Sequence, residues 1–220
     1  MLARIKFCGL TRAEDAAFAA ELGAGYVGVI FAESPRRLAP IAARNVLDAA
    51  GTAVKRVGVF GTNSPEEIAR TAEEAALDIV QLHADPTGAD VIAVRERFAG
   101  DIWAAVRIGD GHIPDDAQIL LEEADAIVLD ARSQRVLGGS GEALPWSDLA
   151  GDLARVRGSV SVVLAGGLTA ENVGTAIRTL APDVVDVSSG VESSPGVKDR
   201  RLMASFAAMV AGSPSRKNAH

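Results

Sequence analysis

Short apolar segments rich in β-branched residues alternate along the chain with longer, alanine-rich segments whose apolar positions repeat at helical spacing. The apolar segments are continuous runs without apolar–polar alternation, which is typical of parallel strands buried on both faces. The pattern predicts eight strands, over residues 4–8, 26–31, 54–60, 79–82, 102–108, 126–130, 160–165 and 184–188.

Polar residues with capping chemistry mark the predicted helix starts. Thr11 with Glu14, and Ser64 with Glu67, have the spacing of a capping box, in which a hydroxyl and a carboxylate satisfy two free backbone N–H groups. Thr169 is placed to cap the helix after the seventh strand. The regular order of strand and helix signals predicts eight βα units.

Eight units in 220 residues leave about 27 residues for each unit, which suits a small closed barrel. The alternative is an open doubly wound sheet, which more often has five or six strands and a glycine-rich phosphate loop after its first strand. Residues 8–11 (Cys-Gly-Leu-Thr) lack that loop. We therefore predict an α/β fold, a closed parallel (β/α)8 barrel of the TIM type, as one domain over residues 1–212 with a polar tail over residues 213–220.

The composition indicates the cellular compartment and the kinds of binding partner to expect. The formal net charge of −7 argues against nucleic acid or an anionic membrane surface as a partner. No apolar run reaches the roughly 18–20 residues that a membrane span needs, and the first residues lack the apolar core of a secretory signal. The one cysteine, Cys8, excludes an internal disulfide. We expect a cytoplasmic protein, a monomer or a homodimer.

Candidate catalytic groups follow from the predicted barrel, because barrel active sites lie at the carboxyl ends of the strands. Cys8 ends the first strand and Asp130 ends the sixth. Each has a plain structural alternative, a small buried thiol for Cys8 and a loop cap for Asp130. The loop after Asp130, residues 131–145, is long and contains Gly-Gly-Ser-Gly at 138–141, which favours a binding element.

Paired glycine turns predict a phosphate site. Gly166 and Gly167 follow the seventh strand, and Ser189 and Gly190 follow the eighth. The loops after these two strands often bind phosphate in this fold, because glycine lets the backbone N–H groups approach the anion. Neither turn contains a lysine or arginine, so amides would supply most of the contacts. The alternative is that the glycines only make tight turns.

Three further side chains are candidates for the pocket. Arg36 follows the second strand and could grip a carboxylate through two hydrogen bonds. His83 follows the fourth strand, and Asp186 lies inside the eighth, where an unpartnered charge would be costly. The three histidines do not have the spacing of metal ligands, so we predict no metal.

The segments that carry these residues together resemble the phosphoribosylanthranilate isomerase family, from residue 6 to residue 199. Two residues depart from the family pattern: Ala84 stands where glycine usually follows Gln-Leu-His, and Ser140 stands where Gly-Gly-Thr-Gly is usual. The matching segments are 6–11 (Lys-Phe-Cys-Gly-Leu-Thr), 58–60 (Gly-Val-Phe), 81–83 (Gln-Leu-His), Asp130 with 138–141, 164–168 (Leu-Ala-Gly-Gly-Leu) with 172–173 (Asn-Val), 185–192 (Val-Asp-Val-Ser-Ser-Gly-Val-Glu) and 196–199 (Gly-Val-Lys-Asp).

This resemblance implies an Amadori rearrangement of N-(5′-phosphoribosyl)anthranilate, a small-molecule phosphosugar, with no cofactor. It implies that Cys8 is the general base and Asp130 the general acid, and that Arg36 meets the anthranilate carboxylate. His83 and Asp186 would line the pocket. The phosphate would be held by the residues of the two turns, Gly166, Gly167, Ser189 and Gly190.

Other functions stay open at this point. One alternative is a ProFAR-type aminoaldose isomerase, a barrel with two aspartates and a visible sequence repeat between its halves. This chain instead has Cys8 at the end of its first strand and no visible repeat. A pentose-phosphate 3-epimerase needs a metal held by several His and Asp residues. A third alternative is a non-catalytic barrel that binds a phosphorylated ligand.

Overall fold

A computed structural model describes residues 2–108, 112–114, 117–130, 146–156 and 160–214. Eight parallel strands pair in sequence order, and β1 also pairs with β8, which closes the barrel. The predicted barrel is thus confirmed, and each predicted strand boundary lies within one residue of the observed one. The strands are β1 (Arg4–Phe7), β2 (Tyr26–Ile30), β3 (Lys55–Phe60), β4 (Ile79–Leu82), β5 (Asp101–Arg107), β6 (Ala126–Asp130), β7 (Ser161–Ala165) and β8 (Val184–Val187).

In the described parts of the chain eight α-helices alternate with these strands, and a short antiparallel hairpin interrupts the last connection. The hairpin follows a single 3₁₀ turn (Ser189–Val191) and consists of β9 (Glu192–Ser194) and β10 (Val197–Lys198). None of the described helices is long and apolar enough to span a membrane. The helices are α1 (Ala13–Glu21), α2 (Pro40–Asp48), α3 (Pro65–Glu74), α4 (Gly88–Arg95), α5 (Gln118–Glu123), α6 (Trp146–Val156), α7 (Val173–Leu180) and α8 (Arg200–Ala211).

The continuous apolar runs of the strands supply two separate cores, because successive side chains point to opposite faces of the sheet. One face packs against the helices, as Phe7 does against Phe206 of α8. The other face fills the barrel interior, where the rings of Tyr26 and Trp103 pack edge to face with their centroids 5.0 Å apart. The interior core fills the barrel below its carboxyl end.

One of the predicted helix caps is confirmed. The Ser64 hydroxyl accepts a hydrogen bond from the Glu67 backbone N–H, and the Glu67 side chain accepts one from the Ser64 N–H. The capping box at Thr11 is wrong, because α1 begins one residue later and its N-cap residue, Arg12, has no side-chain cap. The Thr11 hydroxyl instead donates to the Gly196 carbonyl at 2.6 Å. A contact distant in sequence therefore overrides the local capping signal.

The cap predicted at Thr169 is also wrong. Helix α7 begins at Val173, and a turn over residues 170–172 separates the helix from Thr169. The Thr169 backbone N–H donates to the Asn172 side chain at 2.8 Å, so the asparagine closes this turn. The extra turn leaves room for the glycine loop that follows β7.

The β9–β10 hairpin binds back onto the start of α1. Arg12 donates to the Lys198 carbonyl at 3.0 Å, and the Lys198 N–H donates to the Asp15 carboxylate at 3.2 Å. Asp15 is itself buried and held by two hydrogen bonds from Arg12. The last βα connection is therefore fastened to the first one at the carboxyl end of the barrel.

Candidate active site

A cavity of about 240 Å³ opens at the carboxyl ends of the strands. The nine residues predicted for the site all line this one cavity, although they come from six different strands and the loops that follow them. They are Cys8, Arg36, His83, Asp130, Gly166, Gly167, Asp186, Ser189 and Gly190. The glycine-rich segment 138–141, which was predicted to belong to the site, lies outside the described residues.

Cys8 follows β1 directly and is almost completely buried at the floor of the cavity. Its backbone is fixed on both sides, since its N–H donates to the Val187 carbonyl at 2.9 Å and its carbonyl accepts from the Lys198 ammonium at 2.6 Å. Burial raises the pKa of the Cys8 thiol above its ordinary value, and the nearby positive charges of Lys6 and Lys198 oppose that increase. The thiolate therefore has cationic neighbours where it would form.

Lys6 lies inside the barrel on the same strand face as Cys8, with no exposed surface. Its ammonium donates to Asp186 at 2.7 Å and to Gln81 at 2.8 Å. Burial alone lowers the pKa of Lys6, but Asp186 and Cys8 together outweigh it and the pKa of Lys6 is raised. The other oxygen of Asp186, Oδ1, is buried and has no hydrogen-bond partner among the described residues. Asp186 is also one of the residues that line the cavity.

Gly28 of β2 leaves the space that this arrangement occupies. A Cβ at position 28 would come within 3.1 Å of the Cys8 sulfur and 3.2 Å of the Lys6 Cε atom. Such distances are tighter than ordinary van der Waals contact, so a side chain at position 28 would displace Cys8 and Lys6 by a few tenths of an ångström. Their position is thus determined by packing as well as by charge.

Asp130 lies across the cavity mouth from β1 and faces His83. The His83 Nε2 atom is 3.4 Å from the Asp130 Oδ2 atom, and the His83 Nδ1 atom is 3.4 Å from the Gln81 amide nitrogen. Since the Lys6 ammonium can only donate, the Gln81 oxygen must face Lys6 and its NH2 group must face His83. The His83 Nδ1 atom then accepts, and the tautomer with hydrogen on Nε2 directs that hydrogen toward Asp130.

The glycine turns have the backbone conformations that their sequences predict. Gly166 and Gly167 have φ values of +90° and +67°, in the region that glycine adopts without strain. At Gly190 the constraint is packing, because a Cβ there would collide with the Leu168 carbonyl oxygen. The turns after β7 and β8 therefore touch each other, and together they form one wall of the cavity.

Arg36 reaches over the cavity and binds Glu192 of the hairpin through two hydrogen bonds. Its Nε atom lies 2.8 Å from Glu192 Oε1, and its Nη2 atom lies 2.5 Å from Oε2. Lys198 also donates to Glu192 Oε1, at 2.8 Å. Burial alone raises the pKa of Glu192, but the hydrogen bonds from Arg36 and Lys198 outweigh it and lower this pKa to about 2. Glu192 is therefore a carboxylate at neutral pH.

Sequence reasoning assigned no role to four residues that support the site: Lys6, Gln81, Glu192 and Lys198. One signal could have found Lys6, because residues two apart on a strand share a face and Lys6 lies two residues before Cys8. The described residues contain no cluster of three or more His, Cys, Asp or Glu side chains that could hold a metal ion.

The fold and this cavity place the protein in the class of (β/α)8-barrel enzymes, whose active sites lie at the carboxyl ends of the strands. The sequence model for "N-(5'phosphoribosyl)anthranilate (PRA) isomerase" matches residues 5–209. The chain belongs to this isomerase family. The resemblance found in the sequence is thereby confirmed.

Individual proteins support the same assignment over the whole barrel. The chain is 42% identical to the N-(5'-phosphoribosyl)anthranilate isomerase of Rubrobacter xylanophilus, covering 93% of this chain and 97% of the relative. It superposes on the phosphoribosyl anthranilate isomerase of Thermus thermophilus with a TM-score of 0.81 and 38% identity, covering 95% and 98% of the two chains. It is also similar to a phosphoribosyl anthranilate isomerase solved with reduced 1-(o-carboxyphenylamino)-1-deoxyribulose 5-phosphate, with TM-score 0.81, 34% identity and coverage of 96% and 100%.

Proposed function

We propose that this protein converts N-(5′-phosphoribosyl)anthranilate to 1-(2-carboxyphenylamino)-1-deoxyribulose 5-phosphate in tryptophan biosynthesis, with Asp130 as general acid and Cys8 as general base. The observation that carries the proposal is the meeting of a carboxyl group, a buried thiol and two glycine turns in one cavity. The relative solved with a reduced form of the reaction product supports the choice of substrate.

Asp130 would open the ribose ring. Its carboxyl group donates a proton to the ring oxygen, the bond between this oxygen and C1′ breaks, and the nitrogen lone pair forms a C1′=N iminium. The His83 Nε2–H group, 3.4 Å from Asp130, is placed to orient the carboxyl group. A general acid of this kind must be protonated when the substrate binds.

Cys8 would then remove the proton from C2′. The C–H electrons form a C1′=C2′ bond and neutralise the iminium, which gives an enolamine and a protonated thiol. Tautomerisation moves the O2′ proton to solvent or a nearby base, while C1′ gains one, so no electrons leave the substrate and no cofactor takes part. The positive charges of Lys6 and Lys198 favour the thiolate that this step needs.

The two ends of the substrate would be held by different parts of the cavity. The phosphate fits the turns at Gly166–Gly167 and Ser189–Gly190, where backbone N–H groups can approach an anion. Arg36 lies on the β2 side and would meet the anthranilate carboxylate, while Asp186, which also lines the cavity, would face the ribose. These proposed groups all come from one chain, so a monomer would suffice.

The setting we propose is the cytoplasm, because the single cysteine must stay reduced to act as a base. Rescue of a tryptophan auxotroph that lacks this isomerase tests the function. The wild type should restore growth without tryptophan, and Asp130→Asn, expressed at the same level, should not. Failure of the wild type to rescue, with the purified protein also unable to convert N-(5′-phosphoribosyl)anthranilate, would point to another phosphosugar barrel or to a non-catalytic binder.

A further inference from the structure

Arg36 uses only one edge of its guanidinium to bind Glu192. A guanidinium has five N–H donors, and the contacts to Glu192 use the one on Nε and one of the two on Nη2. Two donors on Nη1 and one on Nη2 therefore remain, and they form the end-on edge of the same plane. Among the described residues no hydrogen bond uses this edge, and Arg36 lines the cavity. The edge has the geometry to bind a second carboxylate through two hydrogen bonds.

The Arg36 side chain is also restrained along its length. Its Cδ atom lies 2.7 Å from the point where a Cβ would stand at Gly9, so the stem of the arginine lies directly against that glycine. The backbone N–H of Arg36 donates to the Ser34 hydroxyl at 3.1 Å. The guanidinium is thus fixed at its base by the loop after β2 and at its tip by Glu192.

Glu192 is in turn rigidly held. Its side chain is 4% exposed, and Oε1 accepts hydrogen bonds from Lys198 at 2.8 Å and from the Gly196 N–H at 3.3 Å, in addition to the one from Arg36. A carboxylate with so many donors cannot rotate without losing several charge-assisted hydrogen bonds. Glu192 therefore sets the plane in which Arg36 presents its free edge.

Lys198 gives the cluster of Arg36, Glu192 and Lys198 its net positive charge. An Arg36–Glu192 pair alone is electrically neutral, so it would attract an anion only weakly. Lys198 adds one positive charge while remaining fully buried, since its other donors bind the carbonyls of Cys8 at 2.6 Å and Ser188 at 3.1 Å. The three residues together carry one net positive charge behind the free edge of Arg36.

We propose that Glu192 and Lys198 are positioning residues for Arg36. They orient its free edge for a planar carboxylate and keep the cluster positively charged. The cluster thereby determines specificity for the carboxylate of the substrate's aromatic ring. The inference rests on the proposed function and extends it, because it assigns the selection of an ortho-carboxylated substrate to residues that do not line the cavity.

A comparison of two ligands tests this inference. The probes are reduced 1-(o-carboxyphenylamino)-1-deoxyribulose 5-phosphate and its phenylamino counterpart, which lacks only the carboxyl group. Dissociation constants from calorimetry give the preference for the carboxylate as a ratio. We expect the wild type to prefer the carboxylated ligand at least 10-fold, and we expect Glu192→Gln to lose most of this preference. Binding of the phenylamino ligand should change less than 3-fold, because its phosphate contacts are intact.

Two further variants sharpen the comparison. Arg36→Ala should lose the preference completely, and Lys198→Met should lose part of it. The matched control is Glu66→Gln, since Glu66 also binds an arginine, Arg97, at 2.9 Å but is 63% exposed on the surface. This control should leave both dissociation constants unchanged. Binding of the phenylamino ligand shows in each case that the variant is folded.

Each contrary result has a distinct meaning. If Glu192→Gln keeps the wild-type preference, or weakens both ligands by the same factor, the positioning role is wrong while the proposed function stands. If the wild type itself shows no preference, the carboxylate role of Arg36 is wrong, and this inference is overturned with it.

Discussion

Lys6 and Asp186 form an ion pair of 2.7 Å inside the barrel, where β1 and β8 meet, and they are partners in the register of these two strands. Neither side chain is more than 7% exposed. A buried ion pair contributes little to stability in itself, but the loss of one partner leaves an uncompensated charge in a medium of low dielectric constant. Removal of one partner should therefore cost more stability than the intact pair contributes.

The first prediction is that Lys6→Met destabilises the fold strongly. The free energy of unfolding should fall by about 3–5 kcal/mol, because Asp186 stays buried without a countercharge. Urea denaturation checks this, with Lys55→Met as the control, since the Lys55–Asp78 pair is exposed and should contribute at most about 1 kcal/mol. A loss in Lys6→Met no larger than that in Lys55→Met would show that the pair is not needed.

The second prediction concerns the pH dependence of stability. The pKa of Glu192 is about 2 in the folded protein, below its ordinary value, so Glu192 stabilises the fold above the unfolded-state pKa. This contribution is lost as the pH falls from about 5 toward 2. The difference in unfolding free energy between wild type and Glu192→Gln should therefore shrink by about 1–2 kcal/mol between pH 6 and pH 3. If the unfolding free energies of wild type and Glu192→Gln differ by the same amount at both pH values, Glu192 does not stabilise the fold through its ion pairs with Arg36 and Lys198.

The third prediction is that Gly28→Ala impairs the reaction without removing a reacting group. The added methyl group would press against the Cys8 sulfur and the Lys6 side chain. We expect a fall in kcat of about 10-fold or more and a stability cost of about 1–3 kcal/mol from overpacking. Gly151→Ala in α6 is the control, because its added Cβ would have no heavy atom within 4 Å among the described residues, apart from its chain neighbours and the backbone of its own helix. If both variants have wild-type kcat, the packing beneath Cys8 is irrelevant to catalysis.

The barrel could be predicted from the sequence because its strands are buried on both faces and so appear as uninterrupted apolar runs. In a parallel barrel the carboxyl ends of all strands lie at one mouth. Once the strands are placed, Cys8 and Asp130 must therefore lie at the same mouth. A charge inside a barrel strand needs a partner, and Asp186 has one in Lys6. Lys6 is itself a charge inside β1, so the sequence offered the same indication for it.

The cluster around Glu192 could not be predicted in the same way. Arg36 and Glu192 are 156 residues apart, and Lys198 and Cys8 are 190 residues apart. Their contacts depend on how the hairpin after β8 folds back onto the loops after β1 and β2, and no local spacing encodes that path. The wrong capping box at Thr11 has the same origin, since its hydroxyl binds the hairpin at Gly196.

The most direct test of the acid–base assignment is the turnover of N-(5′-phosphoribosyl)anthranilate by Cys8→Ser. A serine hydroxyl is far less acidic than a thiol, so it cannot supply an anionic base near neutral pH. We predict that kcat falls by a factor of about 10²–10⁴. The dissociation constant for reduced 1-(o-carboxyphenylamino)-1-deoxyribulose 5-phosphate should stay within about 3-fold of the wild type, because the cavity is otherwise unchanged. A Cys8→Ser variant that binds this ligand normally and keeps more than about one tenth of the wild-type kcat would contradict the role of Cys8 as the base.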